Sequence, residues 1–285
     1  TTSAVIAVFI KNIKKKNLFL AILLLGCFCF NSCEEKEITI PQLSVGTRTV
    51  LVEELTGVRC QNCPDGAALL ANLGNQFGKN LIVVSIHAAG TFSIPYPENK
   101  FDFRTPSGTE LAGFIGTAIG FPAASINRRL VPPETDLYLL PSYWTGLITQ
   151  EIQKEPAIGI FLETNFNPTD RKLDVEVTLA AKKVLTGEHR LTVLITQDSI
   201  QDMQLVGPLK VPDYTHRHVF RTTLTQPTGT VITEALTPDA AVRKQLSINL
   251  PPEWNAKHCN VVAYVHHGTS PDKEILQAAE EHIIK

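Results

Sequence analysis

The stretch RTVLVEELTGVRCQNCPDGAALLANLGNQF, residues 48–77, decides the fold. Its first part, with residues 47–55 rich in Thr, Val and Leu, has the composition of a strand. Thr56 and Gly57 break that run. From Pro64 onward the apolar residues Ala67, Leu69, Leu70, Leu73 and Phe77 recur at helical spacing, and proline suits a first helical turn, where no amide is lost. Residues 81–86, LIVVSI, then form an uninterrupted apolar run of the kind buried on both faces of a sheet. Strand, helix and strand in this order predict a βαβ unit, with Cys60-Gln61-Asn62-Cys63 at its first turn.

Outward from this unit the two sides differ. Upstream, Lys11, Lys14, Lys15 and Lys16 precede an apolar run at 18–30, shorter than the roughly 20 residues a membrane-spanning helix needs. This is the layout of a signal peptide, expected to occupy 1–32. Phe30-Asn31-Ser32-Cys33 fits the end of a lipoprotein signal, and Cys33 is the expected lipidated residue, giving the chain its membrane partner. Leu24-Leu25-Gly26-Cys27 also qualifies, but cleavage there would leave the apolar Cys27-Phe28-Cys29-Phe30 at the new terminus. Residues 33–46 then form a tether.

Downstream, 88–107 is a long loop rich in Pro, Gly and aromatics. A helix is expected at 110–118, a strand at 123–127 and a helix at 142–153. After Lys154-Glu155-Pro156 the texture becomes all strand: 157–164, 173–180, 191–197, 215–223, 245–250 and 261–266, separated by turn signals. The fold class expected is α/β plus all-β, with an α/β domain at 47–155 and a β-sandwich of immunoglobulin-like patterning at 156–285.

Charge excludes one class of partner. Removing 1–32 takes away four of 26 basic residues and none of the 28 acidic ones, so the mature chain is acidic by about six charges and a nucleic-acid partner is not expected. Nor is a cofactor: no Gly-rich phosphate loop, nucleophile elbow or zinc-protease motif is present.

The chemistry-bearing motif is Cys60-x-x-Cys63. A pair like this at a strand-to-helix turn is a thioredoxin-like redox signature, in which the helix amides favour a thiolate at Cys60, the exposed first cysteine attacks, and the more buried Cys63 resolves. Arg59 stands ready to add positive potential. Resemblance to thioredoxins extends to two more positions. Pro122, in Gly120-Phe121-Pro122, stands where such folds place a cis-proline facing the disulfide. Glu54, six residues before Cys60, stands where they carry a buried acid that helps deprotonate the resolving cysteine. A strand-end surface glutamate is its plain alternative. Gln61-Asn62 departs from the thioredoxin dipeptide, which leaves the redox direction open. Exchange, a purely structural disulfide and metal binding all remain open for the pair.

The segments VEELTGVRCQNCPDGA (52–67), IVVSIHAAGTF (82–92), FDFRTPSG (101–108), GFPAASINR (120–128) and YTHRHVFR (214–221) resemble the twenty-eight-kilodalton outer-membrane lipoprotein family of Gram-negative bacteria. The resemblance spans about residues 30–285. It implies a thioredoxin-like domain, a β-sandwich and an outer-membrane location, on its periplasmic or cell-surface face. It implies no activity: exported protein thiols as substrates, or a surface ligand held by a binding or adhesion protein, are both compatible with it.

The remaining candidates have plain readings. His216 and His218, two apart on the strand expected at 215–223, share a face, but with no third ligand in view no metal site is assigned. His266 and His267 point to opposite faces. His87, ending the strand at 81–86, faces towards the cysteine site or is a structural histidine. Cys259 reads as a buried free thiol.

Overall fold

The computed structural model describes residues 48–268 and 273–284. The expected signal peptide, Cys27, Cys33 and the tether lie outside them. The described chain is a mixed α/β structure, mostly β-sheet with few helices.

β1 (Val50–Leu55) leads through the Cys60–Cys63 turn into α1 (Cys63–Phe77) and back into β2 (Leu81–Ile86), parallel to β1 with Val50 opposite Leu81 and Leu55 opposite Ile86. After the 88–105 loop, α2 (Pro106–Ile115) starts at Thr105, whose hydroxyl caps Gly108 N at 2.9 Å. It starts earlier than the spacing suggested because Thr105-Pro106 is a start signal in its own right. β3 (Ala123–Ile126) then joins β1 antiparallel, Leu139 bridges to Ala124, and α3 (Pro141–Ile152) closes this half.

β1 is buried on both sides, and alternation decides what each side chain meets. Val50 and Val52 pack with Leu70 and Leu73 of α1 and with Trp144 and Ile148 of α3. Leu51 and Leu55 pack on the opposite face with Leu111 and Ile115 of α2. Glu54 therefore lies on the α1 side, and Glu53 on the other.

The all-β half contributes β4 (Ile158–Phe166), β5 (Lys172–Ala181), β6 (His189–Gln197), β7 (Ile200–Val206), β8 (Leu209–His216), β9 (Val219–Thr223), β10 (Thr230–Val231), β11 (Ala241–Asn249), β12 (Cys259–His267) and β13 (Ile275–His282). The change of texture near 155 is no break in the structure. One eight-stranded sheet runs β13-β12-β6-β9-β2-β1-β3, with β10 beside β6, and so crosses the boundary expected there. The seam is the parallel contact of β2 with β9, where Ser85 N donates to His218 O at 2.8 Å. At the far end Ile275 N, at the start of β13, donates to Asn127 O at 2.9 Å, so the sheet curls until its ends meet.

The strands β4, β5 and β11 form a separate sheet, packed through Ile158, Leu173, Val175 and Val177 on Val193, Ile195, Val261 and Ala263 of β6 and β12. Leu194, Val262 and Tyr264, on the other side of those same strands, pack with Leu51, Ile82 and Leu111 of the first half. Within that core Arg128 grips Glu53 through Nε–Oε2 at 2.8 Å and Nη2–Oε1 at 2.7 Å, and Tyr264 OH donates to Glu53 Oε1 at 3.1 Å. Burial opposes the Arg128 charge, but the Glu53 carboxylate outweighs it and holds the guanidinium firmly protonated.

Candidate functional site

At the end of β1, Gly57 is required by close approach: a Cβ there would lie 2.2 Å from Phe92 O. The 91–93 turn presses on this point, Arg59 N donates to Phe92 O at 2.9 Å, and Cys60 N closes a turn on Gly57 O at 2.9 Å. Cys60 and Cys63 form a disulfide, with Cα atoms 5.4 Å apart. The amides that were expected to face Cys60 are partly committed: Cys63 N bonds Cys60 O at 3.3 Å, Pro64 has none, and Asp65 N bonds Asn62 O at 3.2 Å. Arg59 turns to the loop, donating to Ile94 O and Pro95 O at 2.6 and 2.8 Å over the ring of Tyr96.

One expectation is corrected. Cys60 is not exposed: it and Cys63 are each 2 % exposed. The β7–β8 hairpin, a ribbon separate from both sheets, lies along the turn. Leu205 N donates to Val58 O and Gly207 N to Gln61 O, both at 2.9 Å, and the buried Gln204 amide donates to Gly57 O and Cys60 O, both at 3.1 Å. Nothing in the strand pattern near the motif announces this cover, because it comes from more than 140 residues downstream.

Behind the turn is a cavity of about 270 Å³ whose wall includes Glu54, Cys63, Ser85, His87, Tyr214 and His216. Glu54 is buried, not a surface residue. Ser85 Oγ donates to its Oε2 at 2.9 Å, and among the described residues Oε1 has no hydrogen-bond partner. Burial raises its pKa to about 7, with the Ser85 bond pulling the other way. His87 and His216 sit with ring centroids 6.2 Å apart, and burial lowers them to about 3 and about 4, so both are neutral at physiological pH. Burial, with the Glu54 charge adding to it, pushes the Tyr214 hydroxyl up.

Pro122 is buried, in a cis peptide with Phe121, and packs on α1 where a Cβ at Gly66 would lie 2.9 Å from its Cγ. The Phe121 and Phe92 rings are 5.1 Å apart. Sequence reasoning thus named Glu54, Cys60, Cys63 and Pro122, and the structure gathers them around α1. Ser85, Gln204 and Tyr214 it passed over, although Tyr214 lies inside a stretch that carried the resemblance.

His216 and His218 do not share a strand face. The strand expected at 215–223 is broken at His218, which has φ 54°, so His216 closes β8 and Val219 opens β9. No group of three His, Cys, Asp or Glu among the described residues is arranged to hold a metal ion. Cys259 is buried, its thiol pushed up to about 12 by burial, and donates to Asn255 O at 3.3 Å.

Comparison with known proteins gives the following. The chain is similar in fold to HBP35 of Porphyromonas gingivalis, at 17% identity and TM-score 0.67, covering 84% of this chain and 76% of that one. A structure from Agrobacterium tumefaciens matches at 12% identity and TM-score 0.51, covering 84% and 96%. A domain of the outer membrane lipoprotein Omp28 from Porphyromonas gingivalis matches at 15% identity and TM-score 0.33, covering 45% and 88%. Comparison with curated protein sequences finds no significant match. The model of the family described as outer membrane protein Omp28 matches residues 115–283, a stretch that begins beyond the disulfide turn and includes Pro122 and the hairpin. Since that match takes in more than half of the sequence, the chain belongs to the Omp28 family and is a protein of the outer membrane.

Proposed function

We propose that this is an outer-membrane lipoprotein, anchored through Cys33, whose thioredoxin-like domain carries out thiol–disulfide exchange on exported proteins at Cys60 and Cys63. The order β2-β1-β3 with Leu139 beyond, and α1 and α3 on one face opposite α2, supports the thioredoxin-like reading. The three-stranded sheet packed on β6 and β12 supports an immunoglobulin-like sandwich beside it.

The observation that carries the proposal is Glu54, a buried carboxyl with one unpartnered oxygen, poised near neutrality in the same cavity as Cys63. Such a group is costly to keep, and a titratable group tuned to working pH suits proton transfer. In the oxidising direction a substrate thiolate attacks Cys60 Sγ, the Cys60–Cys63 bond breaks, and Cys63 leaves as a thiolate that takes the Glu54 proton. A second substrate thiolate then attacks the substrate sulfur of the mixed disulfide and releases Cys60. The substrate dithiol is oxidised and the protein pair reduced; reduction runs the same steps backwards. Pro122, packed on α1, shapes the wall of the groove. Replacing Glu54 by Gln should slow exchange with a model dithiol and remove its pH dependence near neutrality. An unchanged profile would count against the role of Glu54.

The burial of both cysteines favours a second reading, a surface binding or adhesion lipoprotein with a structural disulfide. The reduction potential separates the two, since a structural bond typically lies below about −300 mV and exchange catalysts lie between about −270 and about −120 mV. For the anchor, Cys33→Ala should abolish incorporation of labelled fatty acid. Persistent labelling would move the site to Cys27.

A further inference from the structure

We infer that the β7–β8 hairpin is a lid over the Cys60–Cys63 disulfide, hinged at Ser199 and His218, so that exchange requires the hairpin to lift. The inference rests on the proposed exchange chemistry, but its geometry is independent of Glu54. Four hydrogen bonds tie the lid to the turn. Two run from the amides of Leu205 and Gly207 to Val58 O and Gln61 O, and two from the Gln204 side chain to Gly57 O and Cys60 O. They run from Gly57 to Gln61, along the approach to the motif and its first two residues, and both cysteines are 2 % exposed. An attacking thiolate must reach a sulfur in line with the bond it breaks, so a covered pair exchanges only through an open state.

The hairpin is built to move as a unit. It is a two-stranded ribbon, marginal by itself, and belongs to neither larger sheet. Its legs leave β6 and enter β9, which pair with each other, through Ser199 at φ 59° and His218 at φ 54°. Two non-glycine residues in the left-handed region, one at each foot, are where a change of backbone angle relieves rather than creates strain. Asp198 fixes the second foot by accepting from His218 N at 2.7 Å. Residues 99–101 ride on the lid, because Asp202 accepts the amides of Lys100 and Phe101 and Asn99 Nδ2 donates to Met203 O at 2.8 Å. Lifting the hairpin frees the carbonyls of Val58 and Gln61, while Gly57 O and Cys60 O keep their bonds from Cys60 N and Cys63 N and regain one open acceptor site each. These acceptors suit an extended protein segment in the hairpin's place.

The test is the rate at which dithiothreitol reduces the pair in the folded protein, a readout that needs no catalytic activity. Gln204→Ala removes two of the four bonds and should speed reduction about tenfold. Leu246→Ala, on the remote three-stranded sheet, serves as a control of matched Tm and should leave the rate near wild type. Equal rates in all three proteins, or an equal rise in both variants, would overturn the lid. Should Gln204→Ala fail to fold, hydrogen exchange of the wild type decides: Leu205 and Gly207 amides exchanging well before those of β12 support lifting, and exchange only with global unfolding refutes it. A potential below about −300 mV together with fast opening would reject the exchange chemistry while leaving the movable cover in place.

Discussion

Glu54 makes a statement about stability as well as chemistry. Its carboxyl ionises near pH 4.5 in the unfolded chain and near 7 in the folded one. Between those values the unfolded chain loses its proton first, so this group lowers stability as pH rises, by about 3 kcal/mol in all. His87 and His216, lowered by burial, act in the opposite sense: their unfolded forms take up protons below about pH 6.5, and stability falls as pH drops. The Tm of Glu54→Gln relative to wild type should therefore climb between about pH 5 and about pH 8. A constant difference would mean that the carboxyl is solvated. Gly57→Ala should cost about 3 kcal/mol in urea denaturation, because its Cβ meets the backbone oxygen of Phe92 rather than a flexible side chain. A loss within a few tenths would show that the 91–93 turn gives way freely. The cysteine pair was legible because its spacing is a local property, and Glu54 through its offset from Cys60, although its burial was not, since a strand-end surface position fitted the sequence equally. The partners Ser85 and Gln204 were not, since only register and tertiary packing bring them in.

At the scale of elements, βαβ patterning around the motif was readable because apolar spacing there matches burial on both faces of β1 and β2. β13 was not. ILQAAEEH consists largely of good helix formers and becomes a strand by pairing with β12 along its length, with Ala263 opposite Ala279. The hairpin escaped for a different reason: Gly207 and Pro208 mark a turn, but the flanking strands alternate weakly and the expected strand at 215–223 ran across its foot. One side chain takes the loop's backbone amides onto the hairpin, beside the Asn99 bond to Met203 O and the exposed Lys210–Glu98 pair. Buried Asp202 accepts from Lys100 N at 3.0 Å, Phe101 N at 2.9 Å and Met203 N at 2.8 Å. Asp202→Asn keeps the size but removes the charge from these bonds, a loss of about 1.5–3 kcal/mol. Trypsin should then cut after Lys100 and Arg104 about tenfold faster or more, with the rest of the chain intact. Cleavage at the wild-type rate would show that the loop is held elsewhere.

For the whole molecule, the decisive feature is that β6 and β12 have two buried faces. VLI in β6 and VVAYV in β12 are unbroken apolar runs, where a sandwich with one wet face would alternate, and nearly every residue of both strands is buried. Their outer neighbours are the strands β4, β5 and β11, whereas their inner neighbours belong to the first half of the chain. Cutting at residue 156 would expose Leu194, Phe220, Val262, Tyr264 and Ile275, all at or below 2 % exposure. At about 1.5–3 kcal/mol for each such side chain the loss is on the order of 10 kcal/mol, comparable with the entire stability of an ordinary domain. Tyr264 would also lose Glu53 and Arg128, and Ile275 N its acceptor on Asn127. A fragment of residues 156–285 should therefore show no cooperative transition in calorimetry or urea. Residues 34–285 should unfold in one step, with the calorimetric enthalpy equal to the van't Hoff value. A fragment that melts cooperatively, or two resolved transitions in the longer chain, would show that the seam between β2 and β9 is an interface between two autonomous domains. The single-step outcome would mean instead that the sheet crossing residue 155 is the unit that folds.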